Sequence, residues 1–173
     1  MPPPNQRFPG KYRGRVVSNN DPLRIARITA QVPDVLGDEV SSWAMPCLPF
    51  TGQQAGQYVV PEPGAGVWIE FEQGDPSYPI WSGCWYGDES ELPPDARGAG
   101  RSHPVVIQTP GGHKIVLSDA PEGGGVRLEA PGGAFVQINH EGVQTGDGNG
   151  GTFRLSAGEA DINDGRITVP KKR

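Results

Sequence analysis

The chain has 173 residues, 26 of them Gly and 19 Pro, and a formal net charge of −5. So many helix-interrupting residues exclude a helical bundle, while 35% apolar residues, with Val, Ile and Leu alternating between the glycines, exclude a disordered chain. No apolar run is long enough to span a membrane, and Met1-Pro2-Pro3-Pro4-Asn5 lacks the apolar stretch of a secretory signal.

The charge is unevenly spread. Residues 1–30 carry Arg7, Lys11, Arg13, Arg15, Arg24 and Arg27 against Asp21, a balance of +5, whereas residues 31–96 hold eleven acids and no Lys or Arg. A dipolar first half suits head-to-tail contact between subunits or docking on a charged collar, and equally a pair of solvated faces.

After an N-terminal arm, residues 1–10, short strands broken by turn residues run from 11 to 87. The expected strands are Tyr12 to Val17, Ile25 to Val32, Trp43 to Leu48, Val67 to Glu72 and Ile80 to Trp85, with Asn19-Asn20-Asp21-Pro22 and Gly74-Asp75-Pro76 as turns. Val67, Ile69 and Phe71 are assigned to a barrel core, with Glu70 and Glu72 facing water. No window carries a 3.6-residue apolar period, and five short strands in this length suit a small closed barrel. Cys47 and Cys84 sit in apolar strand-like contexts and are expected as buried free thiols in a reducing cytoplasm; their spacing offers no zinc site.

Residues 88–103 contain almost nothing to bury and read as a linker. Beyond them Ile107-Gln-Thr-Pro-Gly-Gly-His-Lys-Ile-Val-Leu117 aligns with Leu128-Glu-Ala-Pro-Gly-Gly-Ala-Phe-Val-Gln-Ile138 at an offset of 21. Val105 matches Val126, Ile107 matches Leu128, Ile115 matches Val136 and Leu117 matches Ile138. Period-2 spacing places these eight on one face and Gln108, Lys114, Arg127, Glu129 and Gln137 on the other, with Pro-Gly-Gly as the turn. Val143, Phe153 and Leu155 continue the pattern in weaker form, and Asp164-Gly165 could turn a last hairpin between Ile162 and Ile167. All four Trp and all four Tyr precede residue 87, and beyond residue 103 only 17 Val, Ile, Leu and Phe stand among 14 Gly. That half is too thin for a core of its own. Three such ribbons around one axis would bring their stripes together, so residues 104–170 are expected to form an intertwined trimeric β-helix or β-prism, its backbones pairing between chains, with a basic tail at 171–173.

Other chemistry finds little support. Gly146-Asp-Gly-Asn-Gly-Gly151 has the glycine spacing of a dinucleotide-binding turn without the helix that would hold a pyrophosphate. Asp161-Ile-Asn163-Asp164-Gly165 opens like a calcium loop, but Arg166 stands where that loop needs glycine. His103, His113 and His140 are isolated from one another; a three-fold axis could still gather one histidine from each of three chains. Eleven acids in residues 31–96 leave room for a carboxylate pair, read here as solvated barrel loops. The same acidity argues against single-stranded nucleic acid on the barrel.

Gly14-Arg15-Val16-Val17, Asp21-Pro22-Leu23, Ala26-Arg27-Ile28, Val32-Pro33, Trp43, Ala55-Gly56, Pro61, Pro63-Gly64 and above all Val67-Trp-Ile-Glu-Phe-Glu-Gln-Gly-Asp-Pro76, with Tyr78-Pro79-Ile80 and Gly83, resemble the OB-fold domain of phage baseplate assembly protein V and of the central spikes of contractile injection systems. The Pro-Gly-Gly repeats resemble the β-helical shaft of those spikes, so the resemblance covers residues 11–169. Ala26 stands where the family usually has glycine. The resemblance implies an all-β chain, an OB-fold barrel followed by a trimeric shaft. It also implies a structural role in a contractile tail or injection particle, assembled in the cytoplasm and delivered to a target cell surface. The implied partners are two further copies, a tail tube or hub at the barrel collar, a PAAR-type tip protein at the C-terminal end and the target envelope. No cofactor, catalytic site or nucleic acid is implied, since the 16-residue linker leaves no room for the lysozyme domain of some relatives and no terminal His-x-His pair is present. The competing readings are a small cell-wall hydrolase and a module binding carbohydrate or single-stranded nucleic acid.

Overall fold

The computed structural model describes residues 6–97 and 103–169. The first half of the N-terminal arm, the end of the linker, Pro170 and the basic tail lie outside the described residues. The chain divides into two units, Met1–Glu89 and Ser90–Arg173.

In the first unit the strands are β1 (Tyr12–Ser18), β2 (Thr29–Gln31), β3 (Met45–Pro46), β4 (Thr51–Gly52), β5 (Ala55–Gly56), β6 (Gly66–Phe71) and β7 (Pro79–Trp85), with one short helix, α1 (Pro33–Leu36). Five strands form a sheet in the order β2-β1-β6-β7-β3, antiparallel except for β3 on β7, and β4 pairs with β5 as a separate hairpin. Bridges from Ile28 to Ala44 and from Gln31 to Val40 curl the sheet into a barrel. Its core gathers Val16, Ile28, Ala30, Val32, Ala44, Val67, Ile69, Phe71 and Trp81, and α1 adds Val35. Val67 and Ile69 are fully buried, and between them Trp68 faces outward because strand alternation leaves it no other side. The arm is anchored where Phe8 N–H donates to Gly74 O at 2.9 Å and the Phe8 ring meets Tyr12 and Phe71.

Two expected strands are shorter than their apolar pattern suggested. The stretch from Ile25 to Val32 pairs as a strand only at Thr29–Gln31, because the buried Asp21 carboxylate gathers the N–H groups of Leu23, Ile25 and Arg27 at 3.0, 2.9 and 3.2 Å. Arg24 and Ala26 lie in the left-handed region there, at φ +55° and +66°. An L-residue adopts that conformation at a cost of about 1–2 kcal/mol, and the conformation explains why glycine suits the position of Ala26. The stretch from Trp43 to Leu48 keeps only Met45–Pro46 as strand, with Ala44 bridged to Ile28 before it and Cys47 N–H donating to Trp81 O at 2.9 Å after it. Cys47 and Cys84 are free thiols, but both are exposed rather than buried. Cys84 follows a bulge in the β6–β7 ladder that breaks the inward alternation set by Pro79 and Trp81, and Cys47 lies just past the end of β3.

The second unit opens with two short 3₁₀ turns, Glu89–Glu91 (begun at the end of the first unit) and Pro94–Ala96, inside the segment read as linker. Eight strands follow: β8 (Val105–Gln108), β9 (Lys114–Ser118), β10 (Gly125–Glu129), β11 (Ala134–Asn139), β12 (Gly142–Asp147), β13 (Thr152–Ser156), β14 (Glu159–Ile162) and β15 (Ile167–Val169). They form one antiparallel sheet in chain order. The ladders expected between chains are thus made, for these strands, between consecutive strands of one chain, because short turns hold each hairpin partner alongside. The 21-residue repeat recurs in the turns bond for bond. Thr109 N–H donates to His113 O and Gly112 N–H to Thr109 O, each at 2.9 Å; Ala130 to Ala134 and Gly133 to Ala130 repeat both at 2.9 Å. Gly112 and Gly133 take φ +87° and +83°, a conformation only glycine adopts freely. Asn163 to Arg166 turn the last hairpin, pairing Ile162 with Ile167.

Candidate functional site

Register decides which side chains share a face of the second sheet. Val105, Leu117, Val126, Ile138, Val143, Leu155 and Ala160 stand opposite one another in successive ladders and form one row across the strands. Ile107, Ile115, Leu128, Val136, Thr145, Phe153, Ile162 and Ile167 form a second, two residues away along each strand. All eight residues singled out in the repeat fall in these rows. Thr145 and Ala160 escape a search for large apolar residues, yet alternation from Val143 and from Ile162 leads to both.

In the single chain this face is open. Ile107 is 61% exposed, Leu128 46%, Ile138 50%, and even Ile115 and Val136 are 37% exposed. Twelve large apolar side chains of the two rows are left uncovered to this degree, an apolar face far beyond the scattered residues normal on a monomer.

The back of the sheet is a knitted polar surface. Arg127 donates through Nε to Glu129 at 2.6 Å and through Nη1 to Gln137 Oε1 at 2.8 Å, and its guanidinium lies 4.0 Å from the Phe135 ring centre. Lys114 bridges Asp95 at 2.8 Å and Glu129 at 3.5 Å, and Arg154 pairs with Glu141 at 2.9 Å. The Arg127 hydrogen bond holds the Glu129 carboxyl below the usual carboxylate range, and the Asp95 carboxylate raises Lys114. These groups are already paired with each other, so this side is content in water while the other is not.

The remaining sequence candidates are not brought together. His113 lies in the turn between β8 and β9 and His140 in the turn between β11 and β12, at opposite ends of the strands. Among the described residues no three His, Cys, Asp or Glu side chains gather as a metal-ligand set. The glycine-rich Gly146–Gly151 segment ends β12 and turns into β13, and Asp147 Oδ1 accepts from Asn149 and Gly151 N–H there at 2.7 and 2.8 Å. These backbone donors lower the pKa of the Asp147 carboxyl.

The feature least visible in the sequence lies on the barrel. Arg13 and Arg15 stack on Trp68 and Trp85, with guanidinium carbons 5.2–5.7 Å from the ring centres, and Arg27 lies 5.4 Å from Trp43. The signal was the same alternation that found the core: Arg13 and Arg15 flank buried Gly14, and Trp68 stands between Val67 and Ile69.

Comparison with known families gives two matches. Residues 12–86 match the model of the type VI secretion system/phage-baseplate injector OB domain, and residues 104–168 match the phage baseplate V C-terminal trimerisation domain. No curated protein sequence matches the chain. The barrel takes the first model and the open-faced sheet the second, in that order along one chain; the protein therefore belongs to the phage baseplate V family, with the spike-like structural role and the trimerisation domain of that family.

Proposed function

We propose that three copies of this chain form the central spike of a phage-like contractile tail or injection system. The observation that carries the proposal is the pair of apolar rows across the second sheet, exposed in one chain and backed by a face on which Arg127, Lys114 and Arg154 are paired with carboxylates. Three such faces turned inward make a prism with a dry centre and a wet outside. Its strength under load comes from ladders along each face and apolar contact between faces, so the shaft can transmit sheath contraction to a target envelope. The barrel collar docks on the tail tube or hub, and a PAAR-type protein sharpens the C-terminal tip. The particle assembles in the cytoplasm, and the spike reaches the target cell surface on contraction. The role is mechanical rather than catalytic. Light scattering on the full-length protein at micromolar concentration tests the reading: a trimer mass is expected, and a monomer mass overturns it. Clearing of peptidoglycan, or salt-sensitive binding of oligonucleotides at physiological ionic strength, would favour the enzyme or binding-module readings instead.

A further inference from the structure

The outer face of β1 carries Arg13 and Arg15, both exposed. Trp85 fixes them: its Nε1–H donates to Val67 O at 3.1 Å, and its ring lies against Gly66, where a Cβ would come within 2.7 Å of ring atoms. The two guanidinium groups rest on this anchored ring at 5.2 Å, and Arg15 also donates to Gly64 O at 3.0 Å. Stacking presets their planes while leaving N–H edges free, and a planar fork of that kind suits a carboxylate. Among the described residues no carboxylate pairs with either arginine, whereas Lys11 on the same row is already paired with Glu70 at 2.6 Å. The helix α1, which packs against β1, shows the converse. Asp34 on α1 and Asp38 just beyond it are exposed, and among the described residues no cation pairs with them.

We propose that in the trimer the Arg13–Arg15–Trp85 face of one barrel docks on Asp34 and Asp38 of the next, so that three identical head-to-tail contacts close the barrels into a ring. This rests on the trimer reading. Two observations favour a second copy as the occupant. Charge is complementary within one chain, +5 in residues 1–30 against eleven acids and no cation in residues 31–96. The barrel is also joined by a short segment to a trimerisation domain, so neighbouring barrels meet at an effective concentration of order millimolar, enough for a modest contact to be occupied. Face-to-face docking of two arginine patches would set like charges together, whereas a cyclic trimer needs a heterologous contact.

The test uses the full-length Arg13→Lys/Arg15→Lys protein and a zero-length carbodiimide, which joins amines to carboxylates in direct contact. Covalent dimers and trimers are expected on a denaturing gel, with peptides linking position 13 or 15 of one chain to position 34 or 38 of another. Adding Asp34→Asn and Asp38→Asn should remove those peptides while light scattering still reports a trimer. A trimer without such peptides overturns the ring and leaves the spike reading standing. A monomer overturns both.

Discussion

Val136 sits in the middle of the second apolar row, opposite Leu128 on one side and Thr145 on the other. Its neighbour Gln137 points to the polar back, where it accepts from Arg127 at 2.8 Å. If the rows form the shared core, Val136→Asp places a carboxyl in the centre of the trimer three times over, whereas Gln137→Glu places one beside an arginine. In the isolated chain position 136 is 37% exposed, so the carboxyl keeps part of its hydration and the loss falls on association. At about 2 kcal/mol per chain, the low end for a buried polar group without partners, three chains lose about 6 kcal/mol. That corresponds to roughly four decades in the trimer association constant. Proton uptake softens the loss at low pH without removing it, because the protonated groups still lack apolar partners. Gln137→Glu keeps an acceptor for Arg127 and should shift stability by about 0.5 kcal/mol or less. Mass by light scattering across a dilution series, with thermal melting, measures both. Equal behaviour of the two variants, or loss of the trimer only with Gln137→Glu, would refute the assignment of the rows to a shared core.

Three further outcomes follow from the barrel. Asp21→Asn should lower the melting temperature of the barrel, since Asp21 accepts three backbone N–H groups and, on Oδ1, both Nε and Nη2 of Arg27 at 2.9 and 2.6 Å. The Arg27 guanidinium holds the folded carboxyl far below the ordinary carboxylate range, so the wild-type advantage over Asp21→Asn should be full above about pH 5 and shrink as pH falls below the unfolded value of about 4; an advantage independent of pH down to acid unfolding would contradict this. Trp81→Phe should cost about 1–3 kcal/mol in urea unfolding, because it removes the buried Nε1–H donor to Ala26 O at 2.9 Å and leaves that carbonyl unpaired; an unchanged midpoint would show that the bond contributes little. A chain ending at Glu89 should keep native-like Trp fluorescence, with all four Trp inside the first unit, yet run as a monomer. A tight trimer of that fragment would make the barrel the organising element.

What the sequence revealed, and what it hid, divides along the range of the interactions. Alternation is a local property of a strand, so Val67, Ile69 and Phe71 could be assigned inward from six consecutive residues, and the 21-residue repeat announced both its strands and its turns through Pro-Gly-Gly. The segment around Ile25 reads as strand by the same rule and is not one, because a single carboxylate six residues before Arg27 collects three amides into a left-handed loop; no periodicity records that. The exposure of Cys84 depends on a bulge between two strands, which belongs to the ladder and not to either strand alone. The stacking of Arg13 and Arg15 on Trp85 joins β1 to the end of β7, across β6 in the sheet and about seventy residues apart along the chain. Outward alternation named the participants, but only the folded barrel made them neighbours.

The chain-order meander of the second sheet lets that sheet grow by whole hairpins. Every ladder joins strands adjacent in sequence, so nothing in one hairpin depends on the chain beyond its immediate neighbours. A duplicated 21-residue unit, such as the one from β8 through the turn after β9, would splice two more strands into the stack and lengthen it by about 10 Å at the usual strand spacing. Both apolar rows would continue unbroken through the insertion. The extent of the sheet is in this sense a count of copied hairpins, adjustable by recombination without redesign of the barrel.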